Sequence, residues 1–467
     1  MKAIIATTVF GVIMMFASIM VGNRKTIAAI GILLMAALLG VNIYELADTP
    51  AGAAQLVFNK MLSIEHYGVW FCTLMTGCSL LYVVLMNKEI QRVGMHTAEY
   101  FALIFFILCG LYLLTSYNNL LMLFLGIEIL SIPQYILAGS DRRNLKSSEA
   151  SLKYFLMGAF STGILLMGIT LLYGASRTFY IGDLATMLHT EALNPLALAG
   201  IIFIMIALSF KVSAAPMHMW TPDVYDGSPT VFTAFMATVV KAGAFFAFLR
   251  LFQVSFNSLS QHWTLVLAVI TAATLLVGNV TAVFQQSVKR MLAYSSIAQA
   301  GFMLFAVLAV SQADPSHGMK GIIIYGTAYS VATIGLFAVL IKLKDYTYDG
   351  FNGLAKTEPL LAFVTAIFIF SLAGIPLTGG FMAKYYVLLA VFPKTELMWL
   401  VIFALLMAAI SVYYYFRVII AMYFKTGTPE LSTSVSATDK LLLVLTCVLV
   451  LLLGIFPHLF LGGAPAV

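Results

Sequence analysis

The chain has 467 residues, of which 62% are hydrophobic and only 9% are charged, whereas soluble domains carry about 25% charged residues. This composition excludes a secreted, disordered, nucleic-acid-binding or cytosolic protein and leaves a helical protein that crosses a membrane many times. We attribute the net charge of +6 to membrane topology rather than to an acidic partner.

Apolar runs of transmembrane length follow one another along the whole chain. A bilayer core of about 30 Å needs about 20 apolar residues per helix. Fourteen runs qualify, at approximately 3–21, 26–46, 67–86, 99–116, 118–138, 151–175, 195–220, 229–255, 262–284, 290–311, 320–343, 359–391, 395–424 and 440–461. The predicted fold is therefore an all-α polytopic bundle of about 14 helices, forming a single membrane domain over 1–467.

Basic residues in the connections predict the orientation. The connections after odd-numbered helices contain fourteen lysines and arginines, whereas those on the other side contain six. The positive-inside rule then places both termini on the non-cytoplasmic side. The first run is longer than the core of a signal peptide, so we expect a retained helix. The lack of a targeting presequence favours a bacterial cytoplasmic (inner) membrane.

Six ionisable residues lie inside predicted spans, where a charge costs at least about 2.5–3.5 kcal/mol. They are Glu128, Lys153, Lys211, Lys241, Lys384 and Arg417. Two of them have a structural alternative: Lys153 lies close enough to a helix end to reach the interface, and Arg417 can pair with a carbonyl or a lipid headgroup. For the other four residues, a functional role is the default interpretation of an ionisable side chain inside a membrane span.

Two predicted helices contain breaks. Pro216 follows Lys211 in helix seven, and Pro376 precedes Lys384 in helix twelve, next to two glycines. A proline inside a span survives only beside protein or water, because it frees a backbone carbonyl. The five-helix blocks around the prolines, 99–255 and 262–424, have nearly equal length and predict two inverted repeats of the kind that transporters use.

Proton movement fits these buried groups better than catalysis does, since no soluble-enzyme motif and no ligand set for a metal or cofactor is evident. Burial disfavours the charged forms of lysine and glutamate, so both can exchange protons near neutral pH. Glu128, as the deep carboxylate, is the natural partner for Lys153 or Lys211. His218, next to the first break, titrates near neutrality, but it can equally be a packing residue.

Four stretches carry a family resemblance. FKVSAAPMHMWTPDVYDGSP, LFLGIEILSIPQYIL, SVKRMLAYSSIAQAGFML and LAGIPLTGGFMAKYYVL resemble the antiporter-like membrane subunits of respiratory complex I, most closely the subunit N branch. This resemblance implies that a Glu128–Lys211 pair controls proton loading, that Lys241 connects the two halves of the subunit, and that Lys384 faces the half-channel through which protons leave. It further matches Lys153 and His218 to positions that the family uses.

One departure from the family pattern is relevant to mechanism. The family commonly has a histidine where this chain has Gln299, which cannot titrate, and this puts a proton relay through helix ten in doubt. A glycine-serine-proline sequence also replaces the more usual glycine-alanine-proline after TPDVY, a change that we expect to be silent.

The predicted function is that of a proton-translocating subunit of an NADH (or related donor)–quinone oxidoreductase. The resemblance implies flavin and iron–sulfur clusters in partner subunits and none in this chain. It also implies partners among the other membrane subunits, including further antiporter-like ones, together with membrane lipid and no nucleic acid. Two alternatives remain open: a subunit of a multisubunit cation/proton antiporter, and a structural scaffold whose lysines only hold the bundle together.

Overall fold

The protein is an all-α membrane bundle with one small β-hairpin. The computed structural model describes residues 1–50, 52, 54–190, 194–309, 316–433 and 435–461. Within these residues, twelve helices are long and apolar enough to cross a membrane, and three shorter apolar helices accompany them. The prediction of a polytopic all-α fold is thus confirmed, while the count of fourteen crossings stays a prediction.

Twenty α-helices and two strands follow one another along the described chain. They are α1 Lys2–Met20, α2 Arg24–Asp48, β1 Gln55–Val57, β2 Leu62–Ile64, α3 His66–Val93, α4 Thr97–Ser116, α5 Leu120–Ala138, α6 Leu145–Ser176, α7 Ile181–Thr190, α8 Pro195–Lys211, α9 Trp220–Gly227, α10 Thr230–Phe235, α11 Lys241–Val254, α12 Ser260–Val283, α13 Val288–Leu308, α14 Ser316–Leu340, α15 Leu354–Thr357, α16 Pro359–Ala373, α17 Gly379–Val391, α18 Met398–Phe424, α19 Ala437–Ile455 and α20 His458–Leu461. A π turn, Met236–Val240, joins α10 to α11, and β1 pairs antiparallel with β2.

Three helices that carry predicted site residues, α5, α6 and α8, and the central helix α13 begin at capping side chains. Asn119, Asn144, Asn194 and Ser287 accept hydrogen bonds from the first-turn amides of α5, α6, α8 and α13. These side chains satisfy amide groups that otherwise lack a partner at a helix start. The cap at Asn144 explains why α6 starts six residues before the predicted 151, which places Lys153 two turns inside the helix.

The first predicted break lies earlier in the chain than Pro216 itself. Helix α8 ends at Lys211, and the linker 212–219 continues through Ser213, which has a left-handed φ of 66°, and a cis peptide bond before Pro216. The Ala215 amide donates to the Thr274 hydroxyl on α12 at 2.8 Å. Irregular backbone at membrane depth needs such partners, because lipid offers no hydrogen bonds.

The second break lies between α16 and α17 and includes Pro376, as predicted. Helix α16 ends at Gly374, whose φ of +88° is in the left-handed region that favours glycine. The Gly380 amide donates to the Ser371 hydroxyl at 3.0 Å. Both interrupted helices are therefore confirmed, with linkers of several residues rather than kinks at a single proline.

The centre of the bundle is formed by the continuous helix Thr230–Val254 and by α13 and α14, whose residues are almost entirely buried. Helices α1, α2, α6, α18 and α19 are apolar but largely exposed, as expected for surfaces that face lipid. Helix α7 and the β-hairpin were not predicted. The last two residues of the predicted tenth helix lie outside the described residues, and the division into blocks 99–255 and 262–424 stays a prediction.

Candidate functional site

Lys211 occupies the last turn of α8, at the first break. Its Nζ donates to the Ser131 hydroxyl at 2.9 Å and to the Tyr135 hydroxyl at 3.4 Å, both on α5. The same ammonium lies 6.0 Å from the centre of the Tyr135 ring. Lys211 is therefore held by neutral oxygens and an aromatic ring.

Glu128 lies one turn before Ser131, on the same face of α5. Its carboxylate accepts a hydrogen bond from the Thr162 hydroxyl on α6 at 2.8 Å. Glu128 and Lys211 interact electrostatically, although no ion pair within 4.0 Å joins them among the described residues. The structure thus places the Lys211 ammonium on the turn of α5 that follows Glu128, in contact with the Ser131 hydroxyl rather than with the Glu128 carboxylate.

Lys153 has different partners from those that the sequence suggested. Its Nζ contacts Glu149 at 2.7 Å and Asp223 at 3.0 Å, and Asp223 also binds Arg290 at 3.1 Å. The Lys153 side chain is 42% exposed, which agrees with the alternative that it reaches the interface. This ionic cluster lines a polar cavity of about 210 Å³.

Lys241 is the first residue of α11, directly after the π turn, and is only 2% exposed. Its Nζ donates to the backbone carbonyl and the hydroxyl of Ser296 on α13, both at 3.1 Å. The ring of Tyr225 lies 5.6 Å from the ammonium. π turns are rare in helices but occur frequently at functional sites.

Lys384 lies on α17, five residues past its start, and is 8% exposed. Its Nζ donates to the carbonyls of Leu372 at 3.2 Å and Ala373 at 2.8 Å, which the end of α16 leaves without helical partners. A Cβ at Gly374 would lie 3.2 Å from this Nζ. The second break therefore creates the acceptors for Lys384 and requires glycine beside it.

Gln299 connects these groups, a role that sequence reasoning did not assign to it. Its amide nitrogen donates to the Leu372 carbonyl at 2.9 Å and to the Tyr415 hydroxyl at 3.1 Å, while its oxygen accepts from the Tyr325 hydroxyl. Leu372 also accepts from Lys384. The feature of the sequence that could have indicated this role is the glutamine itself, because a polar side chain inside a membrane span needs hydrogen-bond partners.

Tyr415 extends this network towards Lys241. The Tyr415 hydroxyl shares a hydrogen bond with Ser295, the residue before the Ser296 that holds Lys241. A series of polar groups on α13, α16, α17 and α18 thus runs between Lys241 and Lys384. Gln299 stands at the position where the family resemblance leads one to expect histidine.

The remaining predicted residues lie outside this network. His218 is partly buried in the linker after α8, and no described hydrogen bond joins its ring to Lys211, Ser131 or Tyr135. Arg417 donates to the carbonyls of Val283, the last residue of α12, at 2.9 Å and of Gln285, just past its end, at 3.3 Å. For Arg417, this contact agrees with the structural alternative.

An ion pair between a buried arginine and a partly exposed glutamate was not predicted from the sequence. Arg250 on α11 is 4% exposed and donates to both carboxylate oxygens of Glu65, which is 34% exposed, at 2.7 and 2.9 Å. Its Nε donates to the Tyr117 carbonyl at 3.1 Å. Burial raises the pKa of Glu65, but the charge and hydrogen bonds of Arg250 outweigh this and leave that pKa below its ordinary value.

The four cysteines are free and buried, as expected of small packing residues. Among the described residues, no group of three His, Cys, Asp or Glu side chains is arranged to hold a metal ion.

Comparisons with known proteins identify the family. Residues 117–411 match the family model described as NADH:quinone oxidoreductase/Mrp antiporter, TM. The chain is 39% identical over 467 residues to NADH-quinone oxidoreductase subunit N of Cytophaga hutchinsonii and 36% identical over 465 residues to that of Flavobacterium psychrophilum, with 99% of each chain covered.

Solved structures agree with these relatives. A chain of respiratory complex I from Thermus thermophilus with bound aureothin is 29% identical, with a TM-score of 0.83 and 98% of both chains covered. A chain of the Mrp complex from Dietzia sp. shares the fold, with a TM-score of 0.86 at 18% identity over 99% of this chain and 96% of that one. The chain therefore belongs to the NADH:quinone oxidoreductase/Mrp antiporter transmembrane family and, within it, to the NADH-quinone oxidoreductase subunit N branch.

Proposed function

We propose that this chain is a proton-translocating membrane subunit of an NADH–quinone oxidoreductase, in which Lys211, Lys241 and Lys384 take up and release protons. The observation that carries the proposal is that each of these three lysines is held by hydroxyl or carbonyl oxygens. An ammonium held by neutral acceptors can lose its proton without leaving a carboxylate partner unpaired. Such a group is suited to changing its charge during turnover.

Glu128 controls proton loading at Lys211 in this proposal. At about 4 Å and an effective dielectric constant near 20, two unit charges attract by about 4 kcal/mol. Lys211 and Glu128 interact electrostatically, while the Lys211 ammonium donates its hydrogen bond to the Ser131 hydroxyl. A small movement of α8 at its broken end would change this attraction enough to favour the loaded or the empty lysine.

The two halves of the subunit communicate through charge. Redox energy released in partner subunits shifts a charge next to Glu128, and the change passes to Lys211, Lys241 and Lys384 in turn. Flavin and iron–sulfur clusters belong to those partners in this proposal. Lys153 and His218 supply protons to the half of the subunit that contains the first break. Both termini lie on the non-cytoplasmic side of the membrane. The complex occupies the bacterial cytoplasmic membrane.

Alanine substitutions test the lysines in the assembled complex. Lys211→Ala and Lys241→Ala are each expected to lower proton pumping and coupled quinone reduction in membrane vesicles, with assembly on native gels retained. Lys344→Ala is the matched control, because Lys344 is 59% exposed and, among the described residues, forms its ion pair with the exposed Glu430 at 3.1 Å, where little stability is at stake. Full pumping in both buried-lysine variants would refute the proposal.

A pull-down from native membranes separates this proposal from the antiporter alternative. Donor:quinone reductase activity and flavin that co-purify with tagged subunit support the oxidoreductase. A colourless complex that exchanges sodium for protons supports the cation antiporter instead. If lysine substitutions abolish assembly before they affect activity, the scaffold alternative is favoured.

A further inference from the structure

An apolar cavity opens beside Lys384 on the outer surface of the bundle. It has a volume of about 410 Å³ and lies between α13, α16, α17 and α18, within the size range of small-molecule sites. Its walls are mainly apolar, with Phe302, Phe381, Leu388, Phe392 and Leu405 among them. Leu405 is 55% exposed, so the cavity opens where the bundle faces lipid.

Lys384 is the only charged residue among the described residues that line this cavity. Its ammonium has three N–H donors, two of which are used by the carbonyls of Leu372 and Ala373. The ring of Phe302, a wall residue, lies 4.8 Å from Nζ. The cavity therefore combines a hydrocarbon surface with one cation that has hydrogen-bonding capacity left.

The depth of Lys384 restricts what can reach it. With a rise of about 1.5 Å per residue, Lys384 lies about 10 Å before the end of α17 at Val391. On the other side, α16 and the linker 374–378 separate it from the opposite end of the crossing. The phosphate of a bilayer lipid stays at the interface, whereas the carboxyl group of a fatty acid can enter because it is small and is neutral when protonated.

We propose that this cavity binds a long-chain free fatty acid, with its chain along the apolar wall of α17 and α18 and its carboxylate on the Lys384 ammonium. The acid enters in its neutral form and transfers its proton from the carboxyl O–H to an uncharged Nζ, which leaves an ammonium–carboxylate pair. A charge-assisted hydrogen bond in a low-dielectric site is stronger than a neutral one. The pair would hold Lys384 in its charged state.

A regulatory consequence follows, and it rests on the proposed function. If Lys384 must lose its proton in each turnover, a bound carboxylate slows this step and lowers proton pumping. Binding itself does not depend on turnover. It can therefore be measured independently of whether this subunit pumps protons.

Photolabelling of the purified complex with a fatty acid that carries a diazirine in its tail tests the binding. The label is expected on peptides of α17 and α18, and lauric acid is expected to compete about tenfold better than dodecanol, which has the same chain without the charge. Palmitic acid should compete better than lauric acid, because each additional buried methylene group favours binding.

Three variants define the site. Ala408→Phe fills the cavity from α18 and should abolish labelling, whereas Leu406→Phe, on the lipid-facing side of the same helix and 58% exposed, should leave it unchanged. Lys384→Gln should remove the preference for the acid over the alcohol. Each variant is first checked for assembly of the complex on native gels.

Two results would overturn the proposal. The first result is equal competition by lauric acid and dodecanol, both in the parent and in Lys384→Gln, which would show that the cavity is an ordinary groove for lipid chains. The second is labelling that is absent, or that is equal in Ala408→Phe and Leu406→Phe, which would show that no fatty acid occupies the cavity. Absent labelling in a complex that pumps protons contradicts only this inference. Specific labelling of a complex whose lysine variants pump fully contradicts only the proposed function.

Discussion

A single methyl group at Gly158 should disturb the Lys211 site. Gly158 lies on α6 against Tyr135, and a Cβ added there would be 2.1 Å from the Tyr135 hydroxyl and 2.7 Å from its Cζ. The Tyr135 ring has little freedom to retreat, because it packs edge-on against Tyr154 at 4.7 Å and Phe155 at 5.9 Å. Gly158→Ala therefore forces the hydroxyl that accepts from Lys211 out of its position.

The magnitude follows from two opposing effects. Forcing an extra methyl group into a packed site costs about 1–3 kcal/mol, whereas alanine in place of glycine inside a helix gains about 0.5–1 kcal/mol. Together these effects give a net destabilisation of about 0–2.5 kcal/mol, and the middle value of about 1 kcal/mol corresponds to about a fivefold change in an equilibrium. We expect a several-fold fall in proton pumping per electron, since Tyr135 supplies one of the two hydroxyl acceptors of Lys211.

Gly163→Ala provides the matched control on the same helix. A Cβ at Gly163 meets no atom within 4 Å, so this substitution should only raise helix stability by about 0.5–1 kcal/mol. Proton pumping and donor:quinone reduction are measured together in inverted membrane vesicles, and thermal stability is measured on the purified complex. Equal pumping and equal melting temperatures for the two variants would refute the assigned role of Tyr135 packing.

Three further substitutions test contacts elsewhere in the bundle. Glu65→Gln leaves Arg250 buried without an opposite charge and should lower the free energy of unfolding by about 3 kcal/mol. Arg250 holds the pKa of Glu65 in the folded protein below its ordinary value. The difference in stability between parent and variant should therefore be complete at a pH above the ordinary pKa and should vanish as the pH falls through the lowered pKa of the folded state. Gln299→Leu removes the partner of buried polar groups, including the Tyr325 hydroxyl, and should cost about 1–3 kcal/mol. Ser131→Ala removes the 2.9 Å acceptor of the neighbouring lysine and should lower proton pumping less than substitution of that lysine does.

Each of these substitutions has a control or an outcome that would contradict it. Glu430→Gln breaks the exposed pair with Lys344 and should change stability by less than about 1 kcal/mol, so an equal effect at Glu65 would contradict the importance of burying Arg250. A melting temperature of Gln299→Leu equal to that of the parent would show that the Gln299 network has no stabilising role. Pumping in Ser131→Ala as low as in Lys211→Ala would show that Ser131 acts as more than an acceptor.

The sequence was sufficient to predict the helical bundle and its unusual residues, because lipid imposes strict rules on a chain. A span needs about 20 apolar residues, so the apolar runs predict where the helices lie, although polar caps and breaks move individual ends by six residues or more, as at the start of α6 and the end of α8. A charge or a proline in such a run is costly, so Lys211, Lys241, Lys384 and the two breaks could be identified from their positions alone.

The partners of these residues were not predictable in the same way. Spacing along α5 puts Glu128 and Ser131 on one face, but it does not say which of them the ammonium of Lys211 approaches. In the structure, the Lys211 ammonium donates hydrogen bonds to Ser131 and Tyr135, and the Lys153 ammonium forms ion pairs with Glu149 and Asp223. Helix packing decides this, because it sets which faces meet.

Gln299 and Arg250 show the same limit. A glutamine inside a span and an arginine near a helix end are visible in the sequence, yet their roles depend on helices that are distant along the chain. Gln299 meets the end of α16 and Tyr415 of α18, and Arg250 meets Glu65 before α3. The sequence alone determined which groups need a partner inside the membrane, since the energetic cost is local, whereas only the tertiary structure decided which partner each one has.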